Sequence, residues 1–196
     1  MPEALKKLIN SIGYLPGIGE KSAGKLAFFL LNANPNYLEN LAKNIKDIKD
    51  KTSMCDTCFG VTDLRETCNT CANPSRDKTT IAVVEEYLDM LTIEQAGYTG
   101  LYHILGAISP VNVFVADLKL IELFERIETA DDNIELILAV NPNIEEATIN
   151  YIKEEVANRK LNHKTTITRL SRLSSGYIEY ADNITLVNAL NERKKV

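Results

Sequence analysis

The stretch TTIAVVEEYLDMLTIEQAG, residues 79–97, passes from a short apolar, β-branched run ending in two acids into helical spacing at Leu88 and Leu91. The same alternation repeats downstream. LYHILGAIS (101–109) reads as a second strand, and residues 118–127 as a helix with Leu120, Leu123, Phe124 and Ile127 on one side. IELILAVN (134–141) is a third strand, followed by a helix carrying Ile149, Ile152 and Val156, and TTITRL (165–170) is a fourth. Strands alternating with helices predict βαβ units, and so an α/β fold whose mainly parallel sheet is covered on both faces. Function in such sheets gathers at the carboxyl ends of the strands, here Glu85 and Asn141. His103, inside an apolar strand, is expected to be a satisfied core residue, and Asp89 and Glu94 to be helix-surface charges.

Before the turn-rich linker NPSRDKT, all four cysteines fall in CDTCFGVTDLRETCNTC: Cys55-x2-Cys58, nine residues, then Cys68-x2-Cys71. Each pair bends the chain so that two thiolates face one ion, and two pairs complete a tetrahedral S4 shell. The expected zinc is structural, because four protein ligands leave no position for substrate or activated water. So small a module buries little core, and metal binding would supply much of its folding free energy. Disulfides are the alternative pairing. They suit an exported chain, whereas MPEALKKLIN lacks the apolar core of an export signal and no later run reaches the roughly 20 apolar residues of a membrane span. A cytoplasmic protein without a membrane partner is expected.

At the N-terminus, Leu5, Leu8, Ile9 and Ile12, then Ala23, Leu26, Ala27 and Leu30, recur at helical spacing on either side of LPGIG (15–19). Lys21 and Lys25 lie four apart, nearly opposite the second stripe, so one side of that helix packs and the other carries two cations. A nucleotide-binding P-loop needs four residues between its glycines, with the second immediately before Lys-Ser/Thr. Glu20 occupies that place here, and Gly17 and Gly19 are too close together. Glycines in the bend and free N–H groups at the start of the second helix nevertheless favour an anion. An ordinary helical hairpin with solvated lysines is the alternative. A third helix, with Leu38, Leu41, Ala42, Ile45 and Ile48, carries Lys43, Lys46 and Lys49 on a face diluted by Asp47 and Asp50, which reads as solvated surface.

The chain has 196 residues, 45% of them hydrophobic, enough for one or two domains with a real core. Its net charge of -5 opposes a protein that coats nucleic acid with its whole surface, but not one with a local contact face. In residues 1–30, Lys6, Lys7, Lys21 and Lys25 outnumber Glu3 and Glu20.

Three resemblances follow. Leu15, Pro16, Gly17, Ile18, Gly19, Lys21, Ala23 and Lys25 resemble the helix-hairpin-helix motif, which binds DNA backbone without reading sequence. AVVE followed by IEQAG resembles the first motif of the Toprim fold, where a glutamate (Glu85 here) works with an Asp-x-Asp to hold magnesium; Asn141-Pro142-Asn143 stands in place of those aspartates. A non-catalytic protein is therefore expected. The rival is a magnesium-dependent phosphoryl-transfer enzyme using Glu85 with Glu145 or Glu146, acids that also suit the first turn of a helix.

Hairpin, cysteine pairs and Toprim-like half in that order, with YHILGAISP, ILAVNP, EATINYI and YIEYADNITLVNAL, resemble the RecR family of bacterial recombination mediators over nearly the whole chain. The resemblance implies a helix-hairpin-helix region at 1–53, a four-cysteine knuckle at 54–73, a Toprim-like domain at 79–170 and an oligomerisation tail at 171–196. It implies a ring, typically a tetramer, around DNA, and partnership with RecO and RecF in loading RecA onto single strands. Gly17, Gly19, Lys21 and Lys25 are then the DNA-contact candidates, and Glu85, Asn141, Glu145 and Glu146 the candidates for a partner surface. VNVFVAD after GAISP departs from the family's glycine-rich loop. The final strand and helix, Gly176 to Glu192, would exchange between subunits or pack locally.

Overall fold

The computed structural model describes residues 1–106, 119–140, 142–171 and 177–196, apart from the side chains of 142–145. It divides into two units, Met1–Lys51 and Thr52–Val196.

The first unit is helical: α1 (Glu3–Gly13), α2 (Glu20–Leu31) and α3 (Pro35–Asp50). Small side chains control how α1 and α2 meet. Ala23 and Ala27 are buried, whereas Leu26, expected on the same stripe, is 41% exposed and Leu30 is half-buried. An alanine stripe lets two helices approach more closely than leucines would, and it leaves the longer side chains at the margin. Asn34 caps α3 by accepting from the Asn36 N–H at 2.9 Å, with Pro35 in the first turn. On α3, Leu38 and Leu41 are half-buried, while Ala42, Ile45 and Ile48 are exposed, as are Lys43, Lys46 and Lys49.

The second unit begins with a two-stranded antiparallel hairpin, β1 (Ser53–Met54) and β2 (Val61–Thr62), which brackets the first cysteine pair. The short helix α4 (Asn69–Ala72) follows, with Cys68 as its N-cap. The main sheet contains β3 (Asp77–Val84), β4 (Gly100–Ile104), β5 (Ile134–Ala139), β6 (Thr165–Arg169) and β7 (Lys194–Lys195), in the order β4-β3-β5-β6-β7. The first four are parallel and β7 is antiparallel to β6. The helices are α5 (Tyr87–Gln95), α6 (Leu120–Glu128), α7 (Pro142–Asn158) and α8 (Asn183–Asn191).

Both sheet faces are apolar, which explains the unbroken hydrophobic runs of β3 and β5. Ile81, Val83, Leu136, Leu138 and Ile167 meet Leu123, Phe124 and Ile127 of α6 and Ile152 and Val156 of α7. Ala82, Val84, Tyr102, Ile104, Ile137 and Ala139 meet Met90 and Ile93 of α5 and Leu186 and Leu190 of α8. At the start of β4 a Cβ on Gly100 would collide with the side chains of Thr80 and Tyr98, so the close approach of β3 calls for glycine. The strand expected at 101–109 runs from Gly100 to Ile104, and its last residues, from Ala107, lie outside the described ones.

The tail departs from expectation. A single 3-10 turn, Ile178–Tyr180, precedes α8, and the strand β7 follows the helix rather than leading it. Asp182 caps α8 through the Thr185 N–H at 2.9 Å. Ile178, Leu186 and Leu190 enter the core, and Arg193 grips Glu135 of β5 through two bonds of 2.6 and 2.9 Å. Among the described residues no helix is long and apolar enough to cross a membrane.

Candidate functional site

The bend between α1 and α2 is tight. The Ile18 N–H donates to the Leu15 carbonyl at 3.1 Å and the Ala23 N–H to Gly19 at 2.9 Å. Gly17 has φ +78 with nothing near the place of a Cβ, so backbone conformation rather than space requires glycine there. Gly19 is the N-cap of α2 and offers no side-chain acceptor, which leaves the first N–H groups of that helix open to an anion. Lys21 and Lys25 are exposed, and each is two residues from a buried alanine and so points away from α1. Glu20, also exposed in the first turn, is the one acid beside them.

The two cysteine pairs converge. All four Sγ atoms lie within 4.8 Å of one another, and Cys58 and Cys68 are 3.6 Å apart. A metal–sulfur bond of about 2.3 Å places tetrahedral ligands roughly 3.8 Å apart, so the donor set fits one tetrahedral ion. Backbone N–H groups already point at three sulfurs: Gly60 to Cys58 at 3.4 Å, Cys68 to Cys55 at 3.3 Å and Cys71 to Cys68 at 3.4 Å. The thiols resist ionising together. A hydrogen bond from Cys71 lowers Cys58 to about 5, that same bond drives Cys71 upward, and burial raises Cys68. A dication removes the conflict by taking all four as thiolates.

The knuckle is fastened to the main sheet. The Ile104 N–H donates to the Cys58 carbonyl at 2.9 Å. Phe59, held at φ 62, sets its ring edge-on to His103 with centroids 5.4 Å apart, and the Lys119 ammonium lies 5.3 Å over it. Gly60 sits at a tight junction, where a Cβ would stand 3.3 Å from the Cys58 sulfur and from the Tyr87 ring, closer than most Cβ contacts. His103 is fully buried as expected, but only half satisfied. Its Nε2 meets the Lys119 carbonyl at 2.6 Å, Nδ1 has no partner among the described residues, and burial lowers its pKa to about 4.

At the carboxyl end of β3, Glu85 is half-buried and Glu86 exposed. Glu146 is exposed on α7, the side chain of Glu145 lies outside the described set, and Asn141 lies outside the described residues. Among the described residues the four cysteines are the only His/Cys/Asp/Glu group that closes to metal-holding distances.

Of the two expected helix-surface charges, Asp89 is buried, and Glu94 is partly exposed but engaged. Asp89 is 3% exposed and accepts the Glu86 N–H at 3.0 Å in a capping box. Glu94 forms an ion pair with Arg76 and accepts the Tyr102 hydroxyl at 2.7 Å, while Arg76 also donates to the carbonyls of Tyr98 and Gly100 at 2.8 and 3.1 Å. Neither role has a local sequence signal beyond the Glu-x-x-Asp of the capping box.

Burial, aided by the nearby charges of Glu85, Glu86 and Glu179, pushes the Asp89 carboxyl up to about 6 against the pull of the Glu86 N–H. Between its ordinary value and 6 the folded chain keeps a proton that the unfolded chain has lost, so stability falls as pH rises through that window. Asp89→Asn keeps the cap and removes the charge. Its stability relative to the parent is expected to rise by up to about 3 kcal/mol between pH 4 and pH 7.5, read from paired denaturant curves.

Comparison with known proteins adds three findings. A family profile described as "RecR, helix-hairpin-helix" matches residues 5–49, and a Toprim domain profile matches residues 79–171. The chain is 41% identical over 201 residues to "Recombination protein RecR" of Herpetosiphon aurantiacus, which covers 100% of this chain and 96% of that one. It is 42% identical to the proteins of the same name from Bifidobacterium longum subsp. infantis, covering 98% and 96%, and Chloroflexus aggregans, covering 97% and 93%.

Proposed function

The chain belongs to the RecR family, and from that premise we propose that it is a non-catalytic, DNA-binding recombination mediator in DNA repair. The observation that carries this reading is the bend at Gly17 and Gly19, which opens amide donors beside exposed Lys21 and Lys25. Such donors hold phosphate oxygens irrespective of base sequence. The chain as a whole is acidic, at -5, so contact is confined to the hairpin. Repetition in a ring, a tetramer in this proposal, would bring several lysine pairs onto one DNA and replace strong single-site affinity with avidity. Exposed Leu26, Phe28, Phe29, Leu31 and Ile45 support self-association.

In this reading residues 1–53 bind DNA, 54–73 hold one structural zinc through Cys55, Cys58, Cys68 and Cys71, 79–170 form the Toprim-like domain, and 171–196 serve oligomerisation. The Toprim surface around Glu85, Asn141, Glu145 and Glu146 receives RecO or RecF, and the cytoplasmic assembly loads RecA onto single-stranded DNA. Asn141 and Asn143, where the Toprim pattern has aspartates, support a surface that binds rather than cuts.

The test is to titrate labelled single- and double-stranded DNA with the protein between 50 and 300 mM salt, and to follow RecA assembly on strands covered by single-strand-binding protein. Steeply salt-dependent binding and faster RecA assembly in the presence of RecO are expected. Salt-insensitive binding would overturn the backbone contact at the hairpin, and magnesium-dependent nicking abolished by Glu85→Ala would overturn the proposal in favour of a phosphoryl-transfer enzyme.

A further inference from the structure

Arg126, on α6, is half-buried, and its Nη1 donates to the Tyr102 carbonyl at 2.7 Å. Among the described residues no carboxylate pairs with it. A guanidinium partly withdrawn from water is costly without an opposite charge nearby. The opposite charges that act on it most strongly are those of Cys71, Cys58 and Cys55, in that order. Tyr102 is two residues from Ile104, whose N–H holds the Cys58 carbonyl, so α6, β4 and the knuckle meet at one place.

Charge at the cysteine cluster is unbalanced in the complementary sense. Four thiolates around a dication carry a net charge of minus two, and Cys55, Cys58 and Cys68 are buried. Cys71 alone of the four receives no backbone N–H among the described residues. Lys119 is paired with Glu122 at 3.3 Å, and Arg65 of the knuckle is exposed to water, with its Nη1 on the neutral Asn69 side chain at 2.7 Å.

We propose that Arg126 is the countercharge of the four-thiolate metal centre, compensating the cluster from the Toprim-like domain across the edge of β4 and thereby coupling metal occupancy to the packing of α6 and β4. Arg126 is a positioning residue that acts through the sulfurs. This inference rests on the zinc reading above. Loss of metal leaves the guanidinium without its partner, so the effect of the ion reaches beyond the knuckle into the main sheet.

The experiment compares the full-length parent with Arg126→Gln, which can still donate a hydrogen bond but drops the charge, and Arg126→Lys, which keeps it. Zinc affinity is read by chelator competition, sulfur–metal coordination by the charge-transfer bands of the Co2+-loaded chains, and stability by melting with and without metal. Arg126→Gln is expected to weaken zinc binding about 10–100-fold and to shift the Co2+ bands, with Arg126→Lys restoring most of the affinity. Without metal, Arg126→Gln should be at least as stable as the parent, because an uncompensated cation has gone. Arg126→Met makes the same comparison if the Gln variant does not fold. Unchanged zinc affinity in Arg126→Gln, or equal destabilisation with and without metal, would overturn the countercharge while leaving the zinc reading intact. A parent that binds no zinc overturns both.

Discussion

With zinc bound as proposed, Cys58→Ser is expected to release the metal and unfold residues 53–72. The knuckle has almost no core but its own sulfurs, since the buried cluster there consists of Cys55, Cys58 and Cys68 with Cys71 against it. Structural zinc contributes about 10–16 kcal/mol to folding in isolated finger peptides, far more than a two-stranded hairpin and one turn of helix supply for themselves. A serine hydroxyl is a poor replacement for a buried thiolate, and Cys58 is doubly placed because its carbonyl also takes the Ile104 N–H. Damage therefore passes to β4. Loss of that bond and of the Phe59–His103 contact, roughly 2–3 kcal/mol together, would lower the melting temperature of the second unit by about 5–10 °C. Metal analysis should fall from one zinc per chain to near zero, and limited proteolysis should cut between residues 53 and 72. Retention of one zinc with an unchanged melting curve would refute the assignment, and chelation of the parent should reproduce the variant.

Lys21→Ala combined with Lys25→Ala is expected to remove most DNA affinity while leaving zinc content and thermal stability unchanged. Both side chains are exposed, and neither enters an ion pair among the described residues, so their loss costs the fold little. Each phosphate neutralised contributes about 0.9 to the slope of log affinity against log salt, so two contacts correspond to a slope change near 2 and roughly 50-fold in affinity at 0.1 M salt for each engaged chain. The loss should be similar for unrelated DNA sequences, because backbone contacts position without specifying. A double variant with the parental affinity and slope would remove the hairpin from the interface.

What the linear order of residues determined by itself was periodic or local. Two-face apolar runs marked β3 and β5, three-to-four spacing marked the helices, and the cysteine spacing marked a four-ligand centre whose sulfurs do converge. Glycines in the bend were legible because the positive φ at Gly17 is a property of one residue and its neighbours. Family membership was legible too, since it rests on the order of short motifs.

Only the tertiary structure decided the electrostatics and the margins of packing. Asp89 is buried because the face of α5 on which it lies docks onto the sheet, and the partners of Arg76, Arg126 and Arg193 stand 18 to 58 residues away in sequence. The alanine contact of α1 with α2, and the tail strand β7 that follows its helix, were decided in the same way. A residue's period shows which neighbours share its face. Whether that face meets solvent, sheet or an opposite charge depends on which distant element packs against it, and the strength of a charge depends on the dielectric that packing creates.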